Sequence, residues 1–179
     1  MKKSIFFGII FVGIIFIQAA YAQNSCKRVH NFCTEKLPEE ESKGKWSFDN
    51  QSKSATFEKG KVYEMSFIAY KNFIYRIATC SDIIEDGENI QFEVLRTEIV
   101  RKEVNGKTRL LKEKTSIFNN QADELKSFYK FKVKKTEKIF IKVTIPTGGN
   151  TESDKKNKGP EYACVGVLLE HRKVQKTGF

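Results

Sequence analysis

From residue 46 onward, apolar and polar positions alternate with a period of two, which marks strands that bury one face and wet the other. The clearest stretch sets Phe131 and Val133 against Lys130, Lys132 and Lys134. The next sets Ile139, Ile141, Val143 and Ile145 against Lys138, Lys142 and Thr144. Lysines on an outward face keep a strand soluble and discourage pairing with another chain's edge. Upstream, Trp46 and Phe48, then Ala55 and Phe57, alternate around Asp49-Asn50-Gln51-Ser52, which predicts two short strands with a turn between them. Lys59-Gly60-Lys61 predicts the next turn. Val62 to Tyr70 and Phe73 to Cys80, both rich in aromatic and β-branched residues, predict a hairpin turning at Lys71-Asn72.

Asp86-Gly87-Glu88-Asn89 is a turn signal, and Ile90, Phe92 and Val94 open another alternating strand. Asn105-Gly106 is the favoured centre of a two-residue hairpin, with Glu98 to Val104 and Lys107 to Lys114 as its arms. Asn119 to Phe128 is the one stretch suited to a short helix or turn. Thr147 to Glu161 reads as a mobile polar loop, and Tyr162 to Leu169 as a final strand. About eight or nine strands at spacings near ten residues predict an all-β fold, an antiparallel β-sandwich of jelly-roll-like type with little helix. Parallel architecture would need long helical segments between strands, and the pattern contains none.

The first 22 residues follow a different rule. Lys2 and Lys3 precede an apolar run from Ile5 to Ile17, and Ala20-Tyr21-Ala22 supplies small residues for cleavage before Gln23. The run is too short to cross a bilayer, which takes about 20 apolar residues. Residues 1–22 are therefore expected to be a secretory signal peptide and 23–179 a single β-sandwich domain in the periplasm or cell exterior. No transmembrane segment or further anchoring domain is expected after cleavage.

Export changes how the cysteines and charges are read. All four cysteines, Cys26, Cys33, Cys80 and Cys164, lie in the exported part, so two disulfides are expected. Four cysteines allow three pairings. The reading adopted from the sequence joins Cys26 to Cys33 locally and Cys80 to Cys164 across the fold. The net charge of +10 falls to +8 once Lys2 and Lys3 are removed. Bases and acids interleave, as in Lys112-Glu113-Lys114, which describes a solvated surface rather than a nucleic-acid tract.

The chain lacks a dinucleotide fingerprint, a phosphate-binding loop, a His-Glu-x-x-His helix and a Gly-x-Ser-x-Gly elbow. Its only histidines, His30 and His171, are weak candidates for a general base. Glu170, the carboxylate nearest His171, would point to the opposite face of a strand. The Cys26-x6-Cys33 spacing fits no zinc site, and the acidic clusters Glu39-Glu40-Glu41 and Asp82, Glu85, Asp86, Glu88 lack calcium-loop spacing. No cofactor or metal is expected. Most aromatics are expected in the core, and an exposed face that binds sugar or peptide is the alternative for Phe73, Tyr75 and Tyr129.

The stretches Lys59-Gly60-Lys61-Val62-Tyr63-Glu64-Met65-Ser66-Phe67 and Thr136-Glu137-Lys138-Ile139-Phe140-Ile141-Lys142-Val143 resemble two strands of the small secreted bacterial β-sandwich modules of the pre-peptidase carboxy-terminal type. The resemblance implies a secreted sandwich and carries over no binding residue. The sequence thus predicts a non-catalytic binding or envelope accessory protein with a protein or glycan partner. The alternatives are a small secreted hydrolase assembled from separate strands, and a surface protein that binds anions or glycans.

Overall fold

The computed structural model describes residues 26–42, 44–82, 89–147 and 160–175. The expected signal peptide, most of the second acidic cluster with its turn, and most of the expected polar loop lie outside the described residues. Nine antiparallel strands form two sheets: β1 (Ser47–Phe48), β2 (Lys53–Glu58), β3 (Val62–Ala69), β4 (Phe73–Ser81), β5 (Gln91–Val104), β6 (Lys107–Asn119), β7 (Phe128–Lys132), β8 (Glu137–Thr144) and β9 (Tyr162–Lys173). The first sheet runs β1-β9-β4-β7, with β2 also paired to β9, and the second runs β3-β8-β5-β6. Because β1 and β2 line the same edge of β9 in succession, they act as one interrupted strand. Counted so, the orders become first-eighth-third-sixth and second-seventh-fourth-fifth, which is jelly-roll connectivity.

The alternating pattern sets the core. Ile139, Ile141 and Val143 of β8 point inward with Ile145 beyond it, and Phe67, Phe92, Val94, Tyr75, Ile77, Val165, Val167 and Leu169 meet them from the other strands. Asn105 and Gly106 both carry positive φ, 53° and 69°, as the tight β5–β6 hairpin requires. The two stretches predicted on either side of Glu98 merge into the single fourteen-residue β5. The stretch from Asn119 forms a short 3-10 turn, Asn120–Ala122. Inside it the buried Asn120 side chain donates to the carbonyls of Ile90 and Lys126 and accepts from the Phe92 amide, tying the turn to the start of β5.

Two expectations are corrected. β3 and β4 do not form a hairpin, because β3 pairs with β8 and β4 with β7 and β9. The chain arches from one sheet to the other so that Phe67 and Tyr75 face each other across the core, with ring centroids 5.5 Å apart. Asn72, at φ 68°, makes the bend, and the Tyr75 hydroxyl accepts a hydrogen bond from the Tyr70 amide. The cysteine pairing also differs: the bridges join Cys26 to Cys164 and Cys33 to Cys80. Cys80 lies opposite Gly166 in the ladder, which makes Cys164 its diagonal neighbour. Diagonal neighbours on one face stand about 7 to 8 Å apart, with their Cβ atoms somewhat closer, whereas the Cβ atoms of a disulfide need about 4 Å. Both thiols point outward and are met from above.

What meets them is a 3-10 helix, Val29–Lys36, laid across the outer face of β4 and β9. Its Val29 and Cys33, with Cys26 and Leu37, pack on Ala78, Cys80, Cys164 and Leu168 as a second apolar cluster. β9 is consequently buried on both faces from Ala163 to Glu170. The approach is close enough that a Cβ on Gly166 would lie 2.5 Å from the His30 Cα and 2.7 Å from the Val29 carbonyl carbon. Only glycine permits it.

Two tests follow from this clamp. Cys33→Ser/Cys80→Ser should cost about 2 to 5 kcal/mol in urea unfolding, and non-reducing peptide mapping of the parent should yield Cys26–Cys164 and Cys33–Cys80 peptides. Gly166→Ala should cost about 1 to 3 kcal/mol or more, since the added carbon meets backbone that cannot rotate away.

Candidate functional site

The sandwich is open along one edge. β2 borders the first sheet and β3 the second, and they do not pair with each other. Between them lies an apolar cleft of about 390 Å³. Its walls are Ala55, Phe57, Tyr63 and Met65, its floor is Val143, Val165 and Val167, and Lys53 stands at its rim. Ala55 faces the inter-sheet space yet is exposed, which shows that the space is accessible. At one end the Phe57 and Tyr63 rings stack at 4.1 Å, and the Tyr63 hydroxyl accepts from the Glu58 amide.

The other end is closed by a side chain acting as a peptide. Gln51 donates its amide to the Ile68 carbonyl at 3.2 Å and accepts from the Ile68 amide at 2.9 Å. Both backbone groups of Ile68 therefore point away from β8. Strand periodicity gives Ser66 and Glu64 the same orientation, so their N–H and C=O groups face the cleft as an unpaired edge. The short β1–β2 turn holds Gln51 in place, with its backbone amide donating to Asp49 Oδ1 at 2.9 Å.

The histidines lie elsewhere and on opposite faces of the first sheet. His30 stands over the outer face. Its Nδ1 is 2.6 Å from Ser54 Oγ, and its backbone amide donates to the same oxygen. That leaves the Ser54 hydroxyl proton for Nδ1, so Ser54 anchors the 3-10 helix, and burial pushes the imidazole below its ordinary value of 6.5. His171 faces inward against Phe73 and Tyr75, its Nδ1 3.4 Å from Asp49 Oδ2 without hydrogen-bond alignment. Glu170 points to the opposite face, as read from the sequence, where it grips the buried Arg76. Among the described residues, neither histidine lines the cleft.

The aromatic trio lies in or against the core, as the leading reading had it, and forms no exposed binding face. Tyr75 is 1% exposed, and the half-buried Tyr129 stacks between Phe118 and Phe131. Phe73 packs against the same cluster. The described residues hold no group of three or more potential metal ligands, and Asp82 Oδ1 instead accepts from the Cys164 amide. Sequence reasoning missed the cleft. Its only trace was a Gln in a turn and the modest size of Ala55.

A disulfide-clamped jelly roll with an apolar cleft between β2 and β3 is the class of protein that fold and site define. No protein-family profile matches the chain, and no curated protein is similar to it. Among solved structures it is similar to Aeromonas hydrophila PliG, a periplasmic lysozyme inhibitor of g-type lysozyme, at 11% identity and a TM-score of 0.37. The match covers 68% of this chain and 84% of that one, a likeness too slight to bear on function. The described residues contain no helix long and apolar enough to cross a membrane.

His30 sets a pH dependence. Its folded pKa lies below the unfolded value, so the unfolded chain binds more protons and stability falls as pH drops through 6.5 and below. Urea midpoints should decline from pH 8 to pH 5.5, and His30→Asn, whose Oδ1 still accepts from Ser54, should reduce that decline.

Proposed function

We propose that this is an exported, non-catalytic binding protein that takes an extended segment of a partner polypeptide along the free edge of β3. The observation that carries this reading is the Gln51 side chain hydrogen-bonded to both backbone groups of Ile68, as an incoming strand would be. A segment continuing that pairing onto Ser66 and Glu64 adds a strand to the second sheet. Its alternate side chains drop between Phe57 and Met65 into the apolar cleft, whose volume suits them. Main-chain bonds supply affinity and the cleft supplies selectivity, which is the general logic of strand addition. Export accords with the paired cysteines and the amino-terminal pattern.

Panning random heptapeptides against the oxidised protein should enrich sequences with apolar residues at every second position. Ser66→Pro removes the outward N–H while leaving the β8 ladder intact, a substitution edge strands tolerate. It should weaken capture about tenfold, the equivalent of roughly 1.4 kcal/mol, a typical worth for one lost hydrogen bond. Equal capture by Ser66→Pro, in a variant that unfolds at the parent's urea concentration, rejects the proposal.

A further inference from the structure

The lysines that look evenly scattered along the chain are not evenly scattered in space. Three segments meet at one end of the sandwich. The β3–β4 arch joins the β7–β8 turn through Asn72 N–H to the Val133 carbonyl and Lys71 N–H to Thr136 Oγ1, and it joins the end of β9 through Val174 N–H to the Asn72 carbonyl. Residues 70–75, 130–136 and 171–175 together carry seven cationic side chains and no carboxylate. Of these, Lys130 is taken by Glu41. The other nearby acids are engaged too: Asp49 lies against His171, Glu137 against Arg96, and Glu170 against Arg76. Lys71, Lys132, Lys134, Lys135, Arg172 and Lys173 have no acidic partner among the described residues.

The patch has a shaped part. A concavity of about 680 Å³ beside β9 is lined by Lys45, Arg172 and Lys173, with Ile74 and Val174 as apolar surface between the charges. Arg172 is held in place, its guanidinium 4.6 Å from the Trp46 ring centroid. Gly44 lets this happen, since a Cβ there would sit 2.8 Å from Trp46 Nε1. Ile74 is flanked in the ladder by Arg172 on one side and Lys132 on the other, so the backbones carrying these two cationic side chains stand about 10 Å apart across an aliphatic residue.

We infer that this end of the sandwich binds an acidic polysaccharide. The concavity accepts a sugar ring over Ile74 and Val174, Arg172 and Lys45 take an acidic group, and the lysines of the arch and turn extend the track along a polymer. A flat anionic bilayer would not reach into the hollow. No aromatic residue lines the hollow, and nearby Trp46 already lies against Arg172 and Arg76, so the hollow offers single-stranded nucleic acid no free ring to stack on. The site uses other residues than the β3 edge, so either assignment can fail without the other.

Polygalacturonate is the probe, with neutral dextran and phosphatidylglycerol vesicles beside it, all against the oxidised protein in low salt. Polygalacturonate should bind, weaken steeply as salt rises, and lose about tenfold or more in affinity with Lys45→Gln/Arg172→Gln/Lys173→Gln. Lys107→Gln/Arg109→Gln/Lys112→Gln, which removes the same charge from the β5–β6 hairpin, should change it by no more than about twofold. Four results overturn the inference: equal losses in both triple variants, salt-independent binding, equal binding of dextran, or binding of vesicles without polygalacturonate.

Discussion

The contact on which the structure depends is the seating of Val29 and His30 against Gly166. A strand in a two-sheet sandwich has one face for the core and one for water, and its outer face is usually polar. Here the outer face of β9 is apolar from Cys164 to Leu168, and only a backbone lying directly on it keeps Leu168, Cys164 and Ala78 from solvent. Gly166 sets the height of that backbone, and two disulfides on either side of it hold the segment down. Ser54, which accepts from the His30 amide and donates to its Nδ1, fixes its direction.

Further along the same face the means of covering change from apolar to ionic. Arg76 is buried beneath Trp46 and pairs with Glu170, while its guanidinium also donates to the Glu41 carbonyl. A buried ion pair adds little net stability over apolar packing, but removing one partner leaves a charge without water or counter-ion. Such a pair therefore fixes arrangement more than it adds strength. It determines how the Glu39–Ser42 turn and Trp46 lie, and with them the orientation of Arg172.

The second sheet was legible because its strands are half-buried, so Ile139, Ile141 and Val143 alternate with wetted lysines. β9 showed no such rhythm, because burial on both faces erases it. The β3–β4 arch was misread because a short polar connection between two apolar strands looks the same whether the chain returns within a sheet or crosses to the other. What separates the two cases is whether Phe67 and Tyr75 share a face, which is a property of the assembled core. The cysteines were misjudged through their spacing in the chain, whereas the bridges follow which side of the first sheet each thiol faces. The open edge and the cationic end escaped for a related reason, since each is composed of segments that are far apart in sequence.

The nesting of the two bridges bears on how the protein matures. Cys26 and Cys33 emerge from the ribosome long before Cys80, and Cys164 comes last of all. In an oxidising compartment a bond between the first two thiols, formed while neither partner is at hand, would be a wrong one. Reaching the native pairs then requires thiolate attack on that early bond. Where that early bond forms, the yield of folded protein would depend on disulfide shuffling as well as on the stability of the finished fold.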